Sequence, residues 1–224
     1  MTARHTGAEY ARAIMEHASD RRARAAFREI VLRLAPPGGA LLDFGAGAGL
    51  DARYFAERGF RVRAYDNDPH MCEFLARHCH DLIASGCIEV EAGSYPEFLA
   101  RGRAERRAVD IVTANFAPLN LIANLPALFA RFHTLTVPGG VVVASVLDPY
   151  YIGDAKYGWW WRNLPRLWQF GCYAVPGAGG GIVRRSPADF RAQCAPWFTL
   201  ERLERLTGCR FVFLVFRRTT AECR

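Results

Sequence analysis

The sequence predicts an α/β fold: a doubly wound, mostly parallel seven-stranded sheet with helices on both faces, an N-terminal helical cap and an antiparallel strand from a C-terminal hairpin. Three observations predict it. Between residues 38 and 147, short apolar runs alternate with longer amphipathic ones in a strand–helix rhythm. The short runs are apolar on both faces, as strands covered on both sides of a parallel sheet are. Two further β-rich runs close the chain around a short turn, and a hairpin at the end of a parallel sheet places a strand antiparallel.

The elements follow in order. Residues 7–34 read as one or two helices, with Phe27, Ile30, Val31 and Leu34 at helical spacing. "APPGG" ends them. Strands are expected at "ALLDF", "RVRAYD", "IEVEAG", "DIVTAN" and "GVVVASVL", and helices between them at "LDARYFAERG", "PHMCEFLARHCHDLIAS", "YPEFLARG" and "LPALFARFHTLT". Residues 148–183, rich in Pro, Gly and aromatics, fit neither period well. "SPADFRAQCA" restarts a helix, with Ser186 as N-cap before Pro187. "FTLERLERL" and "CRFVFLVFRR" are two strands joined at "TG". The expected organisation is one domain over residues 1–224: a helical cap (1–36), a ligand-binding core (38–147), an aromatic and Gly-rich insertion acting as a lid (148–183), and a terminal helix with hairpin (184–224).

Composition narrows the classes. A length of 224 residues, half of them apolar, suffices for one buried core. The longest apolar runs are far too short to span a bilayer, so no membrane partner is expected. No apolar leader stands at the N-terminus, so no secretory signal is expected. Seven scattered cysteines, an odd number, fit a reducing cytoplasm better than a disulfide framework. His70, Cys72, His78, Cys79, His80 and Cys87 cluster in sequence, but on a helix they point in different directions, and no metal site is expected. The net charge of +7 permits a nucleic-acid partner, yet the arginines are spread along the chain rather than gathered in a tract.

The chemistry centres on "LLDFGAGAGLDARYF", residues 41–55. The Lys-Ser/Thr ending of a phosphate-gripping loop is absent. The dinucleotide fingerprint needs a glycine where Leu50 stands. The pattern is D-x-G-x-G-x-G, with Asp43 at the strand end. An acid there suits a ligand with an ammonium group better than one with a pyrophosphate. A second acid, Asp66, ends the next strand, 21 residues after Gly45, where a carboxylate accepts from both hydroxyls of a ribose.

With these residues the chain resembles a class I, Rossmann-like S-adenosylmethionine-dependent methyltransferase. "LLDFGAGAG" resembles the family's first motif and "VRAYDNDPHM" its second. "DIVTANFAPLN" resembles the motif after the fourth strand, and "TVPGGVVVAS" the entry to the fifth. The resemblance implies S-adenosyl-L-methionine as cofactor. It implies that Gly45 and Gly47 lie along its methionine part, that Asp43 orients the loop and the ammonium, and that Asp66 holds the ribose with Asn67 beside the adenine edge. Ser94 and Tyr95 would face the adenine, and Asn115 and Phe116 the methyl end. Ser94 departs from the aspartate common there. Ser94 and Tyr95 read equally well as the start of a capped helix.

The implied reaction is displacement of the sulfonium methyl, for which the protein mainly positions and desolvates the acceptor. No acid–base pair stands out, and no catalytic residue is assigned. The acceptor is expected to be a small molecule, selected by the N-terminal helices and the insertion, with Tyr150, Tyr151, Tyr157 and Trp160 as candidate contacts. An RNA or protein methyltransferase is the alternative, although no RNA-binding module is visible. A non-catalytic cofactor-binding protein is the remote one.

Overall fold

The computed structural model describes residues 18–101, 107–175 and 181–220. Its first element is helix α1 (Ala18–Leu34), whose Phe27, Ile30 and Val31 are buried on one face. Residues 1–17 of the expected N-terminal cap lie outside the described residues. The alternation then runs β1 (Ala40–Phe44), α2 (Leu50–Ala56), β2 (Arg61–Asp66), α3 (Pro69–His78), α4 (His80–Ala84), β3 (Ile88–Ala92), α5 (Tyr95–Ala100), β4 (Val109–Ala114), α6 (Leu125–Leu135) and β5 (Thr136–Leu147). After it come α7 (Gly158–Phe170), β6 (Cys172–Val175), β7 (Ile182–Arg185), α8 (Pro187–Cys194), β8 (Phe198–Arg205) and β9 (Phe211–Arg218).

Seven strands form one sheet in the order β3-β2-β1-β4-β5-β9-β8. β1 to β5 are mutually parallel, and β9 runs antiparallel to both β5 and β8. Successive strand residues feed opposite layers: Leu42, Val112 and Val142 pack with Phe129 and Phe132 on one face, and Leu41, Ile111 and Val141 pack with Phe27 and Phe55 on the other. That is the two-sided burial expected of a doubly wound sheet. The order reverses at β1 and β4, so the connections from their C-terminal ends run to opposite sides and leave a crevice there.

Two expectations change. The single helix expected over 69–85 breaks at Cys79 into α3 and α4. No Gly or Pro marks the break. Cys79 is fully buried, its thiol 3.8 Å from the Gly49 carbonyl oxygen, and the chain turns where it packs on the glycine loop. The insertion, which fits neither period in sequence, folds as α7 followed by the β6–β7 hairpin. α7 carries Pro165 in its interior, which removes a helical donor and blurs the helical signal. Ser186 caps α8 as expected, accepting from the Asp189 amide at 3.1 Å.

Candidate cofactor and substrate site

The glycine loop is shaped by backbone that only glycine adopts easily. Gly45 has φ +74°, and a Cβ there would lie 2.9 Å from Pro118. Gly49 has φ +78°, and a Cβ would lie 2.6 Å from Leu75. Both positions combine left-handed backbone with no room for a side chain. The loop is tied to β2: the amides of Gly45 and Ala46 donate to the Tyr65 carbonyl, each at 2.9 Å.

Asp66 sits at the end of β2 and is 9% exposed. Its Oδ2 accepts from the Gly47 amide at 2.7 Å and its Oδ1 from the Asp68 amide at 2.9 Å. The carboxylate therefore holds the loop in place while still facing the crevice. Burial raises its pKa, and the backbone donors oppose that shift.

Asp43 lies beneath the loop and is 2% exposed. β1 and β4 place it opposite Thr113, whose hydroxyl donates to Oδ1 at 2.8 Å. Its Oδ2 is buried and has no hydrogen-bond partner among the described residues. Burial, then the charge of Asp51, pushes the carboxyl up from 3.8 to about 7. An orphaned buried acceptor beside the loop fits a ligand cation.

Asp51, in the first turn of α2, joins three elements. It accepts from Arg24 and, at 2.7 Å, from Arg28, both on α1, and from the Asn115 side-chain amide at 2.9 Å. The sequence reading missed it, although a carboxylate in a helix's first turn and an Arg pair four residues apart were visible. Asn115 is largely spent on structure: its Oδ1 accepts from the Ser145 hydroxyl at 2.7 Å and from the Phe116 amide at 3.0 Å. Phe116 and Ala117 follow at φ 61° and 67°, two consecutive non-glycine residues in left-handed backbone. Such turns cost of order 1–3 kcal/mol per residue and concentrate at ligand sites.

These parts surround a cavity of about 470 Å³ lined by Gly45, Gly47, Asp66, Asn67, Tyr95, Asn115 and Phe116, together with residues the sequence did not single out: Met71, Pro118, Leu121, Ile122 and Gly181. Asp43 lines a smaller recess under the loop with Arg24 and Asp51. A cavity of about 540 Å³ opens at the opposite edge, near Arg61, Arg63 and Arg107 at the N-terminal ends of the strands, away from the loop.

Ser94 is not among the lining residues. It is exposed, and its hydroxyl accepts from the Glu97 amide at 3.4 Å while Glu97 accepts from the Ser94 amide at 2.8 Å. This capping box starts α5, so the cap is the role the structure gives Ser94. Tyr95, one residue on, faces the cavity; its buried hydroxyl has no hydrogen-bond partner, and burial pushes it up to about 12. Tyr150, Tyr151, Tyr157 and Trp160 are likewise not cavity-lining residues. Trp160 is 7% exposed and packs edge-on against Trp161, and Tyr157 stacks on Trp159 with centroids 6.0 Å apart. The rings of Tyr157 and Trp160 pack within the insertion. The insertion reaches the cavity instead through the β6–β7 hairpin: Gly181 lines it, and the Asn120 amide donates to the Val183 carbonyl at 2.7 Å.

A sequence model described as a methyltransferase domain matches residues 17–206. The chain belongs to the methyltransferase-domain family. Its fold is that of class I S-adenosylmethionine-dependent methyltransferases. A malonyl-[acyl-carrier protein] O-methyltransferase of Serratia marcescens is 31% identical over 125 residues, covering 55% of this chain and 44% of the relative. The match thus spans less than half the length of that curated relative. Among solved structures, the CcbJ methyltransferase of Streptomyces caelestis superposes with a TM-score of 0.64 at 15% identity, covering 92% of each chain. A TehB-like S-adenosylmethionine-dependent methyltransferase of Corynebacterium glutamicum gives a TM-score of 0.60 at 17% identity, covering 95% of this chain and 98% of its own. At such identities the structures share the fold alone.

Proposed function

We propose that this methyltransferase acts on a small-molecule acceptor, with the cofactor held in the cavity between the glycine loop, Asp66 and the Phe116 turn. The observation that carries the reading is the pairing of two features on either side of the glycine loop: a buried Asp43 oxygen without a hydrogen-bond partner in the recess beneath it, and the Asp66 carboxylate in the cavity, locked to the Gly47 amide. S-adenosyl-L-methionine, when bound, supplies an activated methyl on a sulfonium. Asp43 offers its free oxygen to the ammonium, and Gly45 and Gly47 let the backbone lie close. Asp66 accepts from the ribose hydroxyls, Asn67 stands at the adenine edge, and the unpartnered Tyr95 hydroxyl faces the base in place of Ser94. Asn115 and Phe116 bound the methyl end, where the Phe116 ring excludes water.

Leu121, Ile122 and Gly181 at the mouth would meet the acceptor. Tyr150, Tyr151, Tyr157 and Trp160 act through the fold of the insertion, which covers the site as a lid. No base is assigned: positioning and desolvation suffice for so good a leaving group. The Serratia relative is, by its name, an O-methyltransferase of a malonyl group borne by an acyl-carrier protein, which supports a small acceptor group. The free thiols Cys72, Cys79, Cys87, Cys172, Cys194 and Cys209 support a cytoplasmic setting. A labelled-methyl transfer screen against small-molecule extracts and total RNA tests the reading. Label in the small-molecule fraction is expected, and label confined to RNA would overturn it.

A further inference from the structure

The insertion has a face that neither the cavity nor the core uses. α7 buries Trp160 and Leu167 against the protein, one near its start and one two turns on. Trp161 and Trp168, also seven residues apart, share the next flank of the helix, and they are 58% and 82% exposed. Phe170 at the helix end is 63% exposed, and Ile152, in the turn tied to Trp161 through the Ala155 carbonyl, is 73% exposed. Most large aromatic side chains of this protein are buried, so this concentration on one short helix calls for a partner.

The charge pattern says what kind. From residue 155 to 188 there is no Asp or Glu, while Lys156, Arg162 and Arg166 are exposed. Arg162 and Arg166, four residues apart, lie on the outer face between the Trp161–Trp168 flank and Phe170. The other two cations of the stretch are spent internally, Arg184 on Asp154 and Arg185 on Asp189, each at 2.9 Å. Exposed aromatics on either side of uncompensated arginines fit the boundary between headgroups and acyl chains. A two-fold contact with a second copy would set the same arginines against each other.

We propose that the exposed face of α7 docks the protein peripherally on an anionic lipid surface. The expectation of no membrane partner rested on the lack of a spanning segment, and among the described residues no helix is long and apolar enough to cross a membrane. Peripheral contact needs none. The proposal does not depend on the identity of the methyl acceptor. It brings the β6–β7 hairpin, and with it Gly181 at the cavity mouth, close to the lipid surface.

The test is co-sedimentation of the full chain with vesicles of phosphatidylglycerol and phosphatidylcholine, compared with phosphatidylcholine alone. Binding to the anionic vesicles is expected. It should fall when salt is raised from about 0.1 M to about 1 M, which shortens the screening length from about 10 Å to about 3 Å. The double variant Trp168→Ala/Phe170→Ala should bind about tenfold more weakly or less. Arg162→Glu and Arg166→Glu should each lose roughly fivefold or more. All four positions are exposed, so melting temperatures should stay near that of the parent chain. Three results would overturn the proposal: no binding to anionic vesicles, equal binding by the variants, or a lipid-free dimer, seen by sedimentation velocity, that Trp168→Ala abolishes.

Discussion

Asp43 carries the sharpest chemical consequence at the scale of a single residue. Its carboxyl, pushed up to about 7 by burial and then by Asp51, is partly protonated near neutral pH in the free protein. A cation placed at its unpartnered oxygen favours the ionised form, so ligand binding should release a proton. Affinity for S-adenosylhomocysteine, which keeps the ammonium, should therefore rise with pH up to about 7, by at most about tenfold per unit. Calorimetry in two buffers of different ionisation enthalpy reads the released proton directly, and Asp43→Asn should abolish it. The same group has the opposite effect on the free fold. Because its folded pKa is raised, its stabilising contribution is complete below its ordinary value of 3.8 and is lost as pH rises through about 7. Asp43, Asp66 and the glycines were legible in sequence because their chemistry is local: an acid at a strand end and glycines where backbone must approach. Ser94 was legible only as an ambiguity, of which the structure shows the cap completed by Glu97.

Elements show where sequence reading stops. The alternation from β1 to β5 was legible because burial on both faces imprints apolar runs. The break between α3 and α4 was not, because its cause, Cys79 against Gly49, lies 30 residues away. Nor was the clamp between α1 and the loop, whose Arg24 and Asp51 are 27 residues apart. Asp51→Ala should leave Arg24 and Arg28 without their buried partner and cost about 3 kcal/mol or more. Chemical denaturation checks this, and cofactor affinity should fall with it because Asn115 loses the same acceptor. In the insertion, Trp160→Ala should cost about 3 kcal/mol or more by opening a cavity. A structural role for the ring predicts a lower melting temperature along with any loss of transfer. An acceptor contact at Trp160 would instead slow transfer in a protein of unchanged stability.

For the whole molecule, the sheet order decides where chemistry happens. The reversal at β1 and β4 opens the crevice: Asn115, just past the end of β4, lines it, and Asp43 at the end of β1 lines the recess beneath the loop. The net charge of +7 does not by itself make the substrate a nucleic acid. With a small neutral acceptor, transfer should change little with salt, whereas an RNA acceptor would show a steep decline from lost phosphate contacts. The central claim is that the crevice holds S-adenosylmethionine through Asp66, and calorimetric titration of S-adenosylhomocysteine into the parent chain and Asp66→Ala tests it most directly. One ligand per chain is expected, with affinity at least tenfold weaker in the variant, since each lost charge-assisted hydrogen bond is worth roughly 1.5–3 kcal/mol. No binding to the parent chain, or unchanged affinity in a folded Asp66→Ala, would contradict it.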